Sequence, residues 1–531
     1  MATAAGADAG DAAALRARAA AKEAFVAGLQ GTTKWEIFCV IGCLPMCSLF
    51  AAAAQSWVLA RLRRLGASPR LLRASALAIE AAALIAPQVA LTMSPVEAVP
   101  IFLMLLLLWV SVALKIWLKM LRGPGARAQL GAIAQHLAEP RKRFVSAFRG
   151  ATMLLTALAI LGVDFPAFPR RYAKAEGHGQ GLMDLGVGAV VFSGGLVSKA
   201  VDGRGGGRSS ALQRAASGLR AALPLLALGF ARLVATRAAG YQHPVAEYGV
   251  HWNFFFTAAA VALLTLLSQL PPRALLPAGF AVSAAHQAAL SLLGGSAWVH
   301  SDARGPGWAG LNKEGLGSIP GYWALSLLGA AAGHHLQGSA AAAASRVRTA
   351  LSATGKRGGG SGGGGGAGSA GGGGVEGASW AVWLWVARLL AADAAAWALL
   401  WLLETAVEPV SRRSCNAAYV LWVCAQCFAS LAMCAVTDVA TVALAAPPRA
   451  APPPGGAAAA AAAPSPRLLC AINRNLLPLF LAANLLTGAV NLGFDTLAAS
   501  DGVARAIVGA YLVVVCLLAA ALGAHGVTLK L

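Results

Sequence analysis

Long apolar stretches alternate with short polar loops along nearly the whole of this chain. About thirteen can be marked, at 41–58, 74–91, 99–118, 149–163, 185–197, 221–235, 252–267, 276–293, 322–336, 382–403, 419–445, 476–492 and 506–522. An α-helix crosses a bilayer with about 17–25 residues, so the shorter stretches need flanking residues or tilt. None shows the two-residue alternation of a barrel strand, which leaves helices as the spanning form. The pattern predicts an all-α fold: a polytopic membrane protein with about 13 transmembrane helices in one bundle, residues 1–531 forming a single integral membrane domain. Two segments interrupt it. Residues 338–379, with GGGSGGGGGAGSAGGGG, read as a low-complexity Gly/Ser cytosolic loop, and 446–466 reads as an Ala/Pro-rich cytosolic loop. Neither composition can bury a core. The absence of an internal repeat argues against repeat-built transporters.

Composition agrees: 58% of residues are hydrophobic and 12% charged, against roughly a quarter charged in soluble domains. A formal charge of +21 raises nucleic acid as a partner. The arrangement argues against it, because Lys and Arg sit in short loops rather than in one basic domain. Of the 42 basic residues, 26 follow odd-numbered stretches, with Lys530 counted among them, and nine follow even-numbered ones. The positive-inside rule then makes the odd loops and the C-terminus cytosolic, and the N-terminus and even loops non-cytosolic. The Ala-rich start lacks the order of a cleavable signal, so the first span is expected to direct insertion. Nine cysteines, among them Cys39, Cys43 and Cys47 at helical spacing and the pair Cys424 and Cys427, have no second ligand pair beside them. They read as packing residues, and no metal site is expected.

The densest polar cluster between two apolar stretches is 163–188, VDFPAFPRRYAKAEGHGQGLMDLGVG. It gathers Asp164, Arg170, Arg171, Lys174, Glu176, His178 and Asp184 around Pro166 and Pro169. Proline fixes φ and withholds a donor, so FPAFP should end the incoming helix and turn the chain. Ionisable residues at the mouth of a membrane bundle mark a functional site; an interfacial loop touching lipid headgroups would have the same composition. His178 and Asp184 form His-x5-Asp, not the His-x4-Asp of soluble glycerolipid acyltransferases.

Three further polar loops fall on the same non-cytosolic side. GYQHPVAEYGVHWNFFFT holds Tyr241, Glu247, Tyr248, His251, Trp252 and Asn253. His251 and Asn253 are expected in the first turn of a helix, facing the cavity of Asp164; an aromatic interfacial belt is the plainer reading. WAGLNKEGLGSIPGYWAL holds Asn312, Lys313 and Glu314, and EPVSRR holds Arg412 and Arg413, suited to an anionic headgroup or a carboxylate. The four loops together read as one site. Near the end of the chain, Asn484, Asn491 and Asp495 share a helical face with Gly488, and holding helices together is preferred to lining a cavity.

VDFPAFPRRYAK followed by GLMDLGVGAVVFSGGLVS resembles the inositol acyltransferases of glycosylphosphatidylinositol (GPI) anchor biosynthesis, the PIG-W family. KEAFVAGLQGTT, GYQHPVAEYGVHWNFFF, LNKEGLGSIPGY, EPVSRRSCNAAYVLWV and NLLTGAVNLGFDTL follow the family's order across most of the chain. The Ala-rich spans and both low-complexity segments depart from the family's texture, and His178 is outside its pattern. The resemblance implies an endoplasmic reticulum membrane protein with a lumenal active site. It implies transfer of a fatty acyl chain, typically palmitoyl from acyl-CoA, to the inositol 2-hydroxyl of glucosaminyl-phosphatidylinositol. The family's candidate catalytic pair, an Asp in VDFP and a Lys in RRYAK, maps onto Asp164 and Lys174. The expected partners are that lipid, acyl-CoA and the bilayer, without nucleic acid; acyl-CoA is a co-substrate, and no tightly bound cofactor is expected.

Chemistry can be assigned on that footing. A hydroxyl is a poor nucleophile and needs a general base. Asp164 fills that role, and His251 is the rival because imidazole titrates near neutrality. Lys174 either stabilises the oxyanion or pairs with Asp164. Arg170 and Arg171 suit phosphates. Asp184, Tyr241, Glu247, Tyr248, Trp252, Asn253, Asn312, Arg412 and Arg413 complete the expected substrate contacts. The competing class is a lipid or anionic-solute transporter or flippase, using the same loops without bond chemistry.

Overall fold

In the computed structural model, which describes residues 24–25, 28–94, 97–122, 125–198, 211–238, 245–353, 372–445 and 467–529, every apolar stretch falls on a helix. In chain order these are α1 (Lys34–Arg64), α2 (Pro69–Thr92), α3 (Ala98–Arg122), α4 (Ala126–Ala138), α5 (Arg143–Gly162), α6 (Leu182–Leu196) and α7 (Ala211–Ala238). Then come α8 (Val245–Tyr248), α9 (Phe254–Ser268), α10 (Pro272–Leu292), α11 (Gly295–His300), α12 (Trp308–Leu311) and α13 (Lys313–Ala353). The last are α14 (Gly372–Ala406), α15 (Ala417–Ala445), α16 (Arg467–Arg474), α17 (Leu476–Gly493) and α18 (Asp501–Ala524). No strand forms among the described residues; Gly31 and Gln180 make an isolated bridge. The protein is an all-α polytopic membrane protein.

Among the described residues, ten helices are long and apolar enough to cross a membrane: α1, α2, α3, α5, α7, α10, α14, α15, α17 and α18. The other three of the thirteen stretches differ in length or composition. Helices α6 and α9 have 15 residues each, short of the ~17–25 a span needs. Stretch 322–336 lies inside α13, a 41-residue helix rich in Ala, Gly and Ser.

The structure corrects two loop boundaries. The low-complexity segment 338–379 is helical at both ends: α13 runs on to Ala353 and α14 begins at Gly372. The run GSAAAAASRVRTALSA is dominated by alanine, the strongest helix former, which carries the helix past the end of its apolar core. Residues 354–371, and all of 446–466, lie outside the described residues. The basic loop after α3 also contains α4, whose Leu130, Ile133, Ala134 and Leu137 are buried against α13 and α15. At 13 residues it is too short to register as a span, yet its apolar positions recur at helical spacing.

Helix α15 is the axis of the bundle, buried along nearly its whole length with α1, α4, α5, α6 and α14 around it. Helix α13 is the second axis and carries α6, α10 and α14. It meets α6 backbone to backbone. A Cβ on Gly329 would stand 2.4 Å from the Phe192 carbonyl oxygen, and one on Gly333 would stand 2.3 Å from that of Leu196. Small residues four apart allow this approach between membrane helices. Helices α3 and α17 lie at the periphery, where Leu107 and Leu485 are exposed as lipid-facing residues should be. Eight of the nine cysteines are buried packing residues, Cys470 being half-buried.

Candidate active site

Helix α5 stops at Gly162, and the chain then turns twice, Phe165 N–H donating to the Gly162 carbonyl (3.0 Å) and Phe168 N–H to that of Phe165 (3.1 Å). The last carbonyls of a helix lack intrahelical donors. Arg170 supplies one to the C-cap carbonyl of Val163 (3.0 Å) and also ties the turn carbonyls of Phe165 (3.1 Å) and Phe168 (2.8 Å). Burial pushes its guanidinium down to about 10 while neighbouring Asp164 opposes the shift, so it stays charged at neutral pH. Asp164, half-buried on this turn, accepts a hydrogen bond from the side-chain amide of Asn491 at 2.7 Å.

The second half of the loop is fastened to other elements. Arg171 donates to both oxygens of Glu36 (3.0 and 3.1 Å), and the Tyr172 hydroxyl bonds the same carboxylate at 2.8 Å. Lys174 donates to Glu247. Burial alone would raise the Glu247 carboxyl, but Lys174, Arg412 and Arg232 hold it down at about 2. Gly179, at φ +122, brings its N–H to the Val410 carbonyl (2.8 Å); that backbone region disfavours any side chain. Asp184, in the first turn of α6, accepts from the N–H groups of Ala175 (2.9 Å) and Gly181 (2.8 Å) and from Arg412 Nε (2.6 Å).

The other polar loops reach the same end of the bundle. Val250 N–H donates to Leu311 (3.0 Å) and His251 N–H to Asn312 Oδ1 (2.7 Å). Trp252 lies over Gly315 and makes an edge contact with Trp308. Glu314, fully buried, accepts from Arg304 (2.7 Å) and Arg413 (3.1 Å). Ser411 donates to the Gly177 carbonyl (2.9 Å) and lies 3.0 Å from His300 Nε2. Burial, with His178 and Arg413 close by, pushes His300 below the usual imidazole range.

A family model described as GWT1 matches residues 18–522. The chain belongs to the GWT1 family. A protein named GPI-anchored wall transfer protein 1, from Aspergillus fumigatus, is 33% identical over 396 residues, 70% of each chain. Glucosaminyl-phosphatidylinositol-acyltransferase PIGW of Bos taurus is 31% identical over 411 residues, 73% of this chain and 74% of the other. An uncharacterized protein of Arabidopsis thaliana is 36% identical over 367 residues, 69% of this chain and 70% of the other.

In this GWT1-family chain the four polar loops do converge, together with the segment before α1, but their residues divide by burial. Asp164, Arg170, Arg171, Lys174, Glu247, His251 and Trp252 keep solvent-facing surface. Asp184 and Asn312 are fully buried, Arg412 and Arg413 nearly so, and each is tied to a named partner. They hold the loops together behind the accessible surface. Tyr248 is buried with the Arg412 guanidinium 5.7 Å from its ring centroid. Asn253 does not face a cavity: it caps α9, accepting from Phe255 N–H (3.0 Å) and donating to the Gly229 carbonyl (2.9 Å). His251 precedes that helix rather than sitting in its first turn. Tyr241 lies outside the described residues.

Glu36 is inconspicuous in the sequence because it sits in the first turn of an apolar helix; a carboxylate at such a position is itself the available signal. The Asn491 amide joins α17 to the turn after α5 through Asp164, while exposed Asn484 bonds its own helix at the Phe480 carbonyl (2.7 Å). The His136–Asp438 contact (2.5 Å), buried between α4 and α15, is a second polar pair inside the bundle, apart from these loops.

Proposed function

We propose that this chain is an acyltransferase of GPI-anchor biosynthesis, moving a fatty acyl group, typically palmitoyl, from acyl-CoA to the inositol 2-hydroxyl of glucosaminyl-phosphatidylinositol. The proposed setting is the endoplasmic reticulum membrane, with the N-terminus and the site lumenal and the C-terminus cytosolic. The observation that carries this reading is the loop 163–174. It holds an accessible carboxylate and an accessible ammonium, each fixed by its own partner, in a chain related to a named glucosaminyl-phosphatidylinositol acyltransferase.

Asp164 takes the proton of the inositol hydroxyl as its oxygen attacks the thioester carbonyl. The new carbon–oxygen bond forms, the tetrahedral oxyanion collapses, the carbon–sulfur bond breaks, and the proton passes to the departing CoA thiolate. Lys174 stabilises the oxyanion. Its ammonium has three donors and one is directed to Glu247, which orients the group and leaves capacity for the developing charge. Arg171, anchored through Nε and Nη2 and still about one-third exposed, is placed to meet a phosphate. The thioester supplies the driving force, so no acyl-enzyme is required.

The test is transfer of labelled palmitoyl-CoA to glucosaminyl-phosphatidylinositol in membranes, with wild type, Asp164→Ala and His251→Ala at matched expression. Transfer by wild type that vanishes in Asp164→Ala and persists in His251→Ala supports both the reaction and the base. Loss only in His251→Ala moves the base to the imidazole. A folded wild type that moves the lipid across the bilayer without consuming acyl-CoA replaces this reading with a transporter.

A further inference from the structure

Helix α17 makes few buried contacts: Leu479, Ala483 and Thr487 face the bundle, while Leu485 and Leu492 stand out into the lipid region. Near its C-terminal end Asn491 crosses to a residue 327 positions away to bond Asp164.

Asp164 needs such a donor. It lies just past the C-terminus of α5, where the helix dipole disfavours a negative charge.

We infer that Asn491 is a positioning residue of this site: its amide nitrogen donates to the Asp164 carboxylate and holds it in its charged, oriented form. The inference rests on the reading of Asp164 as the base. It makes α17, outside the conspicuous polar loops, a wall of the site.

The experiment measures acyl transfer against pH for the full chain in membranes, comparing wild type with Asn491→Ala, Asn491→Gln, Asn484→Ala and Asp164→Asn. Losing a hydrogen bond to a charged group should lower turnover about 10- to 100-fold in Asn491→Ala. It should also move the acid limb of the profile upward by about one to two pH units, because the carboxylate has lost a donor that favoured its charged form. Asn491→Gln should recover part of both, and Asn484→Ala should match wild type. A purely structural role would leave the acid limb unmoved. If Asn491→Ala does not accumulate, Asn491→Asp carries the test with the same volume, since a second carboxylate beside Asp164 must raise the limb further. An unshifted limb with wild-type turnover in a folded Asn491 variant overturns the inference and leaves the base standing. Wild-type turnover in Asp164→Asn overturns the base itself.

Discussion

Two arginine doublets meet at the same end of this bundle and do different work. Arg412 and Arg413 are buried and each is paired with a fully buried carboxylate, Asp184 and Glu314. Arg170 and Arg171 are half-exposed: one holds the carbonyls of its own turn, and the other shares Glu36 with Tyr172. The same dipeptide is a scaffold clamp in one loop and part of the accessible surface in the other. What separates them is depth. An ion pair away from water leaves an uncompensated charge when one partner goes, whereas a half-exposed pair can be replaced by hydration.

The largest expected effect follows from that difference. Arg412→Met strands the Asp184 carboxylate and should cost about 3–5 kcal/mol of stability. Thermal unfolding in detergent measures it, and the double variant Arg412→Met, Asp184→Asn should regain much of the loss. A double variant no better than the single one would mean that the pair is not the source.

An intermediate effect belongs to the Lys174–Glu247 pair. The Glu247 carboxyl is held at about 2, against an ordinary value of 4.5. A depressed carboxyl contributes stability above its unfolded value and loses it as pH falls through the folded one, worth up to about 3 kcal/mol at neutral pH. The stability gap between wild type and Glu247→Gln should therefore be full at pH 7 and roughly halved by about pH 3. A gap that stays constant over that range contradicts the assignment.

The smallest effect is expected at Arg171. Glu36 keeps Thr32 and Tyr172 as partners, so Arg171→Ala should change stability by less than about 1 kcal/mol. If the guanidinium meets a phosphate, KM for lipid or acyl-CoA rises while the melting temperature holds. An unchanged KM would place Arg171 with its buried counterparts as scaffold.

The parts of this architecture visible in the sequence are those set by local chemistry. Pro166 and Pro169 announce the end of α5, because proline acts on its own backbone and on the residue before it. The skewed distribution of basic residues grouped the polar loops that the fold brings together. Partner identity was not visible. Lys174 meets Glu247 across 73 positions, Arg171 meets Glu36 across 135, and Asp164 meets Asn491 across 327. No spacing rule reaches that far. Helix α4 is hidden for another reason: it is amphipathic and 13 residues long, shorter than any span. Its His136 and the lone carboxylate Asp438 in α15 are legible only once the two helices are seen in contact.

The backbone contact of Gly329 and Gly333 with α6 also fixes a register. Fifteen residues of helix rise about 22 Å, against a hydrocarbon layer of about 30 Å. Clamped to a 41-residue neighbour by glycines that admit no slack, α6 keeps a single register against α13. Asp184 caps its first turn, and through Asp184 the whole 163–181 loop is moored to that shortened helix. The polar loop thus takes its position from the seam between α6 and α13.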